Sequence, residues 1–187
     1  LLVLFAAICF ATTGTSRALG PDSATSLGVA AIRFIVGAIA LFAITALARK
    51  PLVTTVSLPL YIWIIAGFGQ AMYGATFFAA VHETGVAVGT VVALGSAPIL
   101  TGVLSAVLFR SLPTRTWMLA TTAAIVGMSL IVLSGNDTNV SAIGILYALA
   151  AGLGYALFAL ASKRIVESGV TSDVAMSRVF GIAAIML

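Results

Sequence analysis

Long apolar runs, broken at intervals by short clusters of polar and turn-forming residues, organise this chain of 187 residues. Helices laid between the breaks give seven segments of about the length that a hydrocarbon core requires: Leu1 to Gly20, Ser26 to Ala48, Pro59 to Val81, Gly85 to Phe109, Thr116 to Ser134, Val140 to Ser162, and Val174 onward. The connections GPDS, RKPLVTTVSL, HET, RSLPTR, GNDTN and KRIVESGVTSD are short, as antiparallel neighbours in a bundle need. The apolar front, LLVLFAAICFATTGTSRALG, has the outline of a signal-peptide core. No basic residues precede it and more spans follow, so it reads as a first membrane helix. A start without methionine and a stop inside an apolar run suggest a fragment of a longer protein.

Composition supports the membrane reading. The chain is 61% hydrophobic and 7% charged, with a mean hydropathy of +1.22, against about 25% charged residues in a soluble domain. The net charge of +4 comes from basic residues scattered between apolar runs, which is not the patch a nucleic acid would need. They serve instead as topology markers. The second, fourth and sixth connections hold Arg49, Lys50, Arg110, Arg115, Lys163 and Arg164, whereas only Arg17 lies near a boundary on the other side. Positive residues favour the cytoplasm, so the first helix is expected to start there, in a plasma or inner membrane, with His82, Glu83 and Asp137 facing out. The single cysteine, Cys9, offers neither a disulfide framework nor a metal site.

Two sequence devices point to organisation inside the bundle. At an offset of 145 residues, Arg33 falls on Arg178, Ala30 on Ala175, Val29 on Val174, Phe10 on Tyr155, Ala11 on Ala156 and Ala6 on Ala151. Five spans separate the equivalent points, so the second copy enters the membrane from the opposite side, as in the inverted repeats of many secondary carriers. Chance alignment of Ala-rich helices is the alternative. Along the fourth span, Gly85, Gly89, Ala93, Ala97, Thr101 and Ser105 are small residues spaced by four, and the sixth repeats the device with Gly144, Ala148, Gly152 and Ala156. Such ridges let a neighbouring backbone approach closely.

Candidate chemistry is sparse. Pro98 lies inside the fourth span, where its missing N–H and its ring open one rung of the helix beside Ser96. That is tolerable in lipid only against other helices or a watery cavity, so a bend offering carbonyls is expected there. Arg33 enters the second span to a depth of about 10 Å, where it must snorkel, bond to carbonyls or meet a substrate. Gln70 and Tyr73, one turn apart in the third span, join Thr12, Thr13, Ser16 and Ser96 as polar candidates for a lumen; each could equally serve an interhelical hydrogen bond. All five acids, Asp22, Glu83, Asp137, Glu167 and Asp173, sit in connections or at helix ends. An intramembrane carboxylate of the kind proton-coupled carriers keep is missing from this stretch, which favours an exchanger or facilitator. His82 reads as a solvated turn residue beside Glu83, and no metalloprotease, serine-hydrolase or P-loop motif occurs. The glycosylation patterns at Asn136 and Asn139 hug the membrane and read as a turn and helix cap.

The stretches ATTGTSRALGPDSATSLGVAAIRF, YGATFFAAVHETGVAVGTVVALGSAPILTGVLSAVLF and PTRTWMLATTAAIVGMSLIVLSG resemble the EamA family of the drug/metabolite transporter superfamily. The resemblance implies an all-α integral membrane protein: a ten-helix bundle of two inverted five-helix repeats, of which this chain supplies helices one to seven. The first repeat would occupy residues 1–135 and the truncated second residues 140–187. It implies a central cavity, no cofactor, and alternating-access movement of small metabolites or drugs, often outward, with the family's membrane arginine at Arg33 and its helix-four proline at Pro98. The family's Gly-Glu pair after helix four is replaced here by Arg110 and Ser111, which bears on loop geometry at that end. The expectation is a carrier whose cavity is lined by helices one to four, with a small-molecule substrate and the bilayer as its partners. The rivals are a membrane scaffold whose ridges only assemble partners, and an enzyme whose acids or nucleophile lie outside this stretch.

Overall fold

Apolar stretches of this length satisfy their backbone polar groups in lipid only as helices, and helices are what the chain forms. The computed structural model describes residues 4–5, 7–9, 11–13, 19–20, 25–47, 58–110, 112–133 and 141–187, and every regular element among them is helical. The described part of the first span is helical at residues 4–5, 7–9 and 11–13. The second span is Ser26–Leu47, the fifth Arg115–Leu133, the sixth Ala142–Glu167 and the seventh Ser172–Met186. Among the described residues, Ser26–Leu47, Leu60–Phe109 and Ala142–Glu167 are long and apolar enough to cross a bilayer. Large side chains such as Ile32, Val36 and Ile39 stand on the outside of the second span, while Ala30, Phe34 and Ala38 are buried. Lipid, being as apolar as these side chains, tolerates that surface where water would not.

The third and fourth spans form one element, Leu60–Phe109, of 50 residues. Straight, it would be about 75 Å long, more than twice a hydrocarbon core. It is divided at Gly85, whose φ of 79° and ψ of 164° are non-helical and open essentially to glycine alone. There the chain turns back: a Cβ on Gly89 would stand 3.0 Å from the Val81 nitrogen and 3.1 Å from the Ala80 carbonyl carbon. The two arms, 60–84 and 86–109, therefore make a V with Gly85 at its apex.

The sixth span fills this V. Near the apex, a Cβ on Gly144 would meet the Thr84 methyl and lie 2.8 Å from the Glu83 Cβ. Farther along, Gly152 presses on the fourth span, with the Ala93 carbonyl oxygen and Ala97 nitrogen each 3.2 Å from the position of a Cβ. Gly154 presses on the third span, 2.7 Å from the Tyr73 nitrogen by the same measure. The small-residue ridges of the fourth and sixth spans thus pack on each other, with Gly89, Ala93, Ala97, Gly144, Ala148, Gly152 and Ala156 all buried. Gly85 leaves the ridge, because it is the exposed apex.

The seventh span sits between the second and third. Phe34 and Phe180 meet edge to face at 5.5 Å, and a Cβ on Gly67 would stand 2.7 Å from the Ile182 Cβ. Arg178 stacks over Trp63 at 5.2 Å and Arg33 over Phe78 at 5.8 Å. The pairings 63 with 178 and 67 with 182 make the third and seventh spans parallel. The pairings 74 with 34 and 78 with 33 make the second span antiparallel to them. The two arginines aligned by the 145-residue offset consequently stand on aromatic rings at two separate levels of the third span, Phe78 and Trp63.

The structure differs from the sequence reading at several points, and the HET connection is one: residues 82–84 continue the third span's helix up to Gly85. The sixth span runs on past Ser162 to Glu167, so Lys163 and Arg164 are helical rather than part of a connection. Burial of Ile165 continues the packed face, and Lys163 pairs with Glu167 one turn on, at 3.6 Å; the helix stops at Ser168, before Gly169 at φ 98°. Pro98 keeps helical φ/ψ, Gly85 being the non-helical residue of the element, so the helix continues through the proline. A proline's fixed φ suits a helix; what it removes is the hydrogen bond to the carbonyl one turn before it. Ser141 caps the sixth span, its hydroxyl accepting from the Gly144 N–H at 3.4 Å, as the cap reading of that segment anticipates.

Candidate substrate-binding site

The polar candidates of the second and third spans come together. Tyr73 lies at the middle of the 60–84 arm and is 3% exposed, and Gln70, one turn before it, is 7% exposed. Residues three apart are neighbours on a helix surface. The half-buried Arg33 stands on the Phe78 ring, little more than one turn along the same helix from Tyr73. Tyr73 stacks on Phe77 at 5.5 Å and meets Tyr155 of the sixth span edge to face at 5.6 Å. An aromatic frame from the third and sixth spans thus holds the phenol in one orientation.

Burial without hydrogen bonding marks this group. Among the described residues, the buried side-chain atoms with no hydrogen-bond partner are Arg33 Nη1, Gln70 Oε1, Tyr73 Oη and Ser162 Oγ. An unsatisfied buried polar atom costs about 1–3 kcal/mol, more when charged, so folded proteins keep few without a reason. Three of the four belong to the cluster around Tyr73. Together they are a cation, an amide and a phenol closed in among helices, groups that can donate to and accept from a small polar molecule where a movement of the spans uncovers them.

The other sequence candidates lie elsewhere. Ser96 donates to the Ala93 carbonyl at 3.2 Å and packs on Gly152. Gly152 and Gly154 are two residues apart and so point about 200° from each other around the helix, which leaves the sixth span between Ser96 and Tyr73. Pro98 is partly buried in the fourth span. Thr12 is exposed and donates to the Cys9 carbonyl at 2.7 Å, Thr13 is half-buried, and Ser16 lies outside the described residues. Tyr155 escaped the sequence reading; its signal was an aromatic set between small residues, Gly154 and Ala156, on a close-packing face. Ser162 gave no signal, one hydroxyl among many at a helix end.

A sequence model of the EamA-like transporter family matches residues 1–133. The chain is 38% identical over 190 aligned residues to a protein of Bacillus subtilis (strain 168) named as the uncharacterized transporter YwfM, an alignment covering 100% of this chain and 62% of that relative. The chain therefore spans about three-fifths of the relative's length. No solved structure matches it. The apolar helical bundle, the family match across the first five spans and the relative aligned along the whole chain have one reading: this is a multi-pass membrane protein, and it belongs to the EamA-like transporter family.

Proposed function

We propose that the protein is a carrier of small polar metabolites or drugs, working by alternating access, as an exporter or exchanger, with Arg33, Gln70 and Tyr73 contacting the substrate. The observation that carries this reading is the cluster of unpartnered buried atoms at mid-bundle, where inverted-repeat carriers bind their cargo. Arg33 is a permanent cation with a planar fork of donors, which favours a substrate bearing a carboxylate or similar oxygen acceptor. The opposite directions of the second and seventh spans, which carry Arg33 and Arg178, support two inverted repeats, residues 1–135 and 140–187. Arg110, Arg115, Lys163 and Arg164 gather at the open end of the V, and the His82–Glu83 pair sits by the apex, a distribution that favours a cytoplasmic open end.

The test is flux through liposomes holding the full-length protein, loaded with pooled amino and hydroxy acids, nucleosides and cationic drugs. Counterflow of a carboxylate-bearing solute that Tyr73→Phe lowers by about tenfold or more is the expected result. Failure of every pool in both directions would turn the reading towards a scaffold.

A further inference from the structure

The V opens away from Gly85, and at its open end the two arms no longer reach each other around the sixth span. A groove of about 460 Å³ results, lined by Tyr61, Ile65, Leu108, Phe109, Leu160 and Arg164 among others. Its side-chain walls are apolar except for the Tyr61 phenol and the Arg164 guanidinium. From Leu157 to Arg164 it follows the sixth span for roughly 10 Å, against about 15 Å for one leaflet of a hydrocarbon core. It is thus long enough to seat the upper part of one acyl chain, with the cation at its headgroup end.

Charge decides which lipid. Arg164 lies over the Phe109 ring at 4.4 Å, which covers one face of the guanidinium and leaves its edge N–H groups free to donate. Among the described residues no acid pairs with it; the carboxylate one turn on, Glu167, is taken by Lys163 at 3.6 Å. Arg110 directly follows Phe109 and adds a second exposed cation at the same end. Tyr61, exposed at the start of the third span, is the kind of ring that settles at headgroup level. Basic pockets between membrane helices bind anionic headgroups, and here the apolar slot runs directly up to the Arg164 guanidinium.

We propose that this groove is a binding site for an anionic glycerophospholipid, one acyl chain lying along Leu160 and Ile65 and the phosphate held by Arg164. The site is separate from the cluster around Tyr73 and does not depend on transport.

The test uses the full-length protein carrying Tyr61→Trp, in phosphatidylcholine bilayers containing brominated phosphatidylglycerol or brominated phosphatidylcholine. The readout is the quenching gained over the parent without the added tryptophan. Brominated phosphatidylglycerol should quench the reporter at several-fold lower mole fraction than brominated phosphatidylcholine. Arg164→Gln should erase that preference while Arg164→Lys keeps part of it, and Ile39→Trp, on the lipid face of the second span, should show none. Equal quenching by the two lipids at residue 61 would overturn the proposal, as would a preference that survives Arg164→Gln. Absence of quenching by either lipid would also overturn it, since the groove would then be covered by another part of the chain.

Discussion

Gly69 and Gly154 bring the third and sixth spans together backbone to backbone: a Cβ on Gly69 would lie 2.6 Å from the Gly154 carbonyl oxygen, and one on Gly154 would lie 2.8 Å from that of Gly69. Neither obstacle is a side chain that could swing away, so even alanine forces the helices apart. Overpacking of this kind costs about 1–3 kcal/mol. Gly154→Ala should therefore lower the thermal midpoint of detergent-solubilised protein by several degrees, and Gly154→Val should abolish the monodisperse peak in size exclusion. Gly127→Ala, where a Cβ meets nothing within 4 Å, should leave both unchanged.

Gly85 poses the opposite case. A Cβ there also meets nothing within 4 Å, yet φ is +79°. Backbone strain alone should make Gly85→Ala destabilising, by about 1–3 kcal/mol, seen as a lower midpoint and reduced yield. An unchanged midpoint would mean that the turn readily adopts another conformation.

Tyr73 and Gln70 separate binding from folding. Their unpartnered atoms contribute no hydrogen bond to the described fold, so Tyr73→Phe and Gln70→Leu should keep or slightly raise the thermal midpoint. Transport should fall by about tenfold or more for each, since a site built to hydrogen-bond its cargo loses heavily when a partner is removed. A lowered midpoint with normal flux would assign the two groups to structure instead.

Arg33 combines charge with stacking on Phe78. Arg33→Ala should impair transport or assembly, and Arg33→Lys should retain part of either if only a positive charge is needed. Wild-type flux in the alanine variant would remove Arg33 from the site.

Orientation is open to labelling. In a cysteine-free background of the full-length protein, His82→Cys should react with an impermeant maleimide from outside intact cells, and Arg115→Cys only after the membrane is opened. The reverse pattern would invert the topology.

Hydropathy and turn chemistry made the number and approximate limits of the spans legible, because lipid leaves a long apolar segment few alternatives to helix. The close-packing ridges were legible too, since a period of four small residues has one geometric meaning. What the ridges could not reveal is their partners: nothing local in Gly152 or Gly154 says that one faces the fourth span and the other the third. Arg33, Gln70 and Tyr73 stood out in the sequence as polar residues at depth, but their meeting depends on how the second span crosses the third, a long-range property. Lys163 and Arg164 looked like a connection because charge usually marks a membrane boundary. The stacking of Arg164 on Phe109 and the pairing of Lys163 with Glu167 show how a helix carries both past that boundary.

The sixth span's place between the arms of Leu60–Phe109 also bears on how the protein is made. The V is complete once Phe109 has been synthesised, but what fills it ends only at Glu167. At ~5–20 residues per second this leaves several seconds during which the faces of Gly69, Ala93 and Ala97 have no sixth span to rest on. Cellular insertion machinery must shelter that open hairpin or let its arms close on each other for the interval. Substitutions along these faces should therefore lower the amount of protein that reaches the membrane more than they alter the protein that arrives.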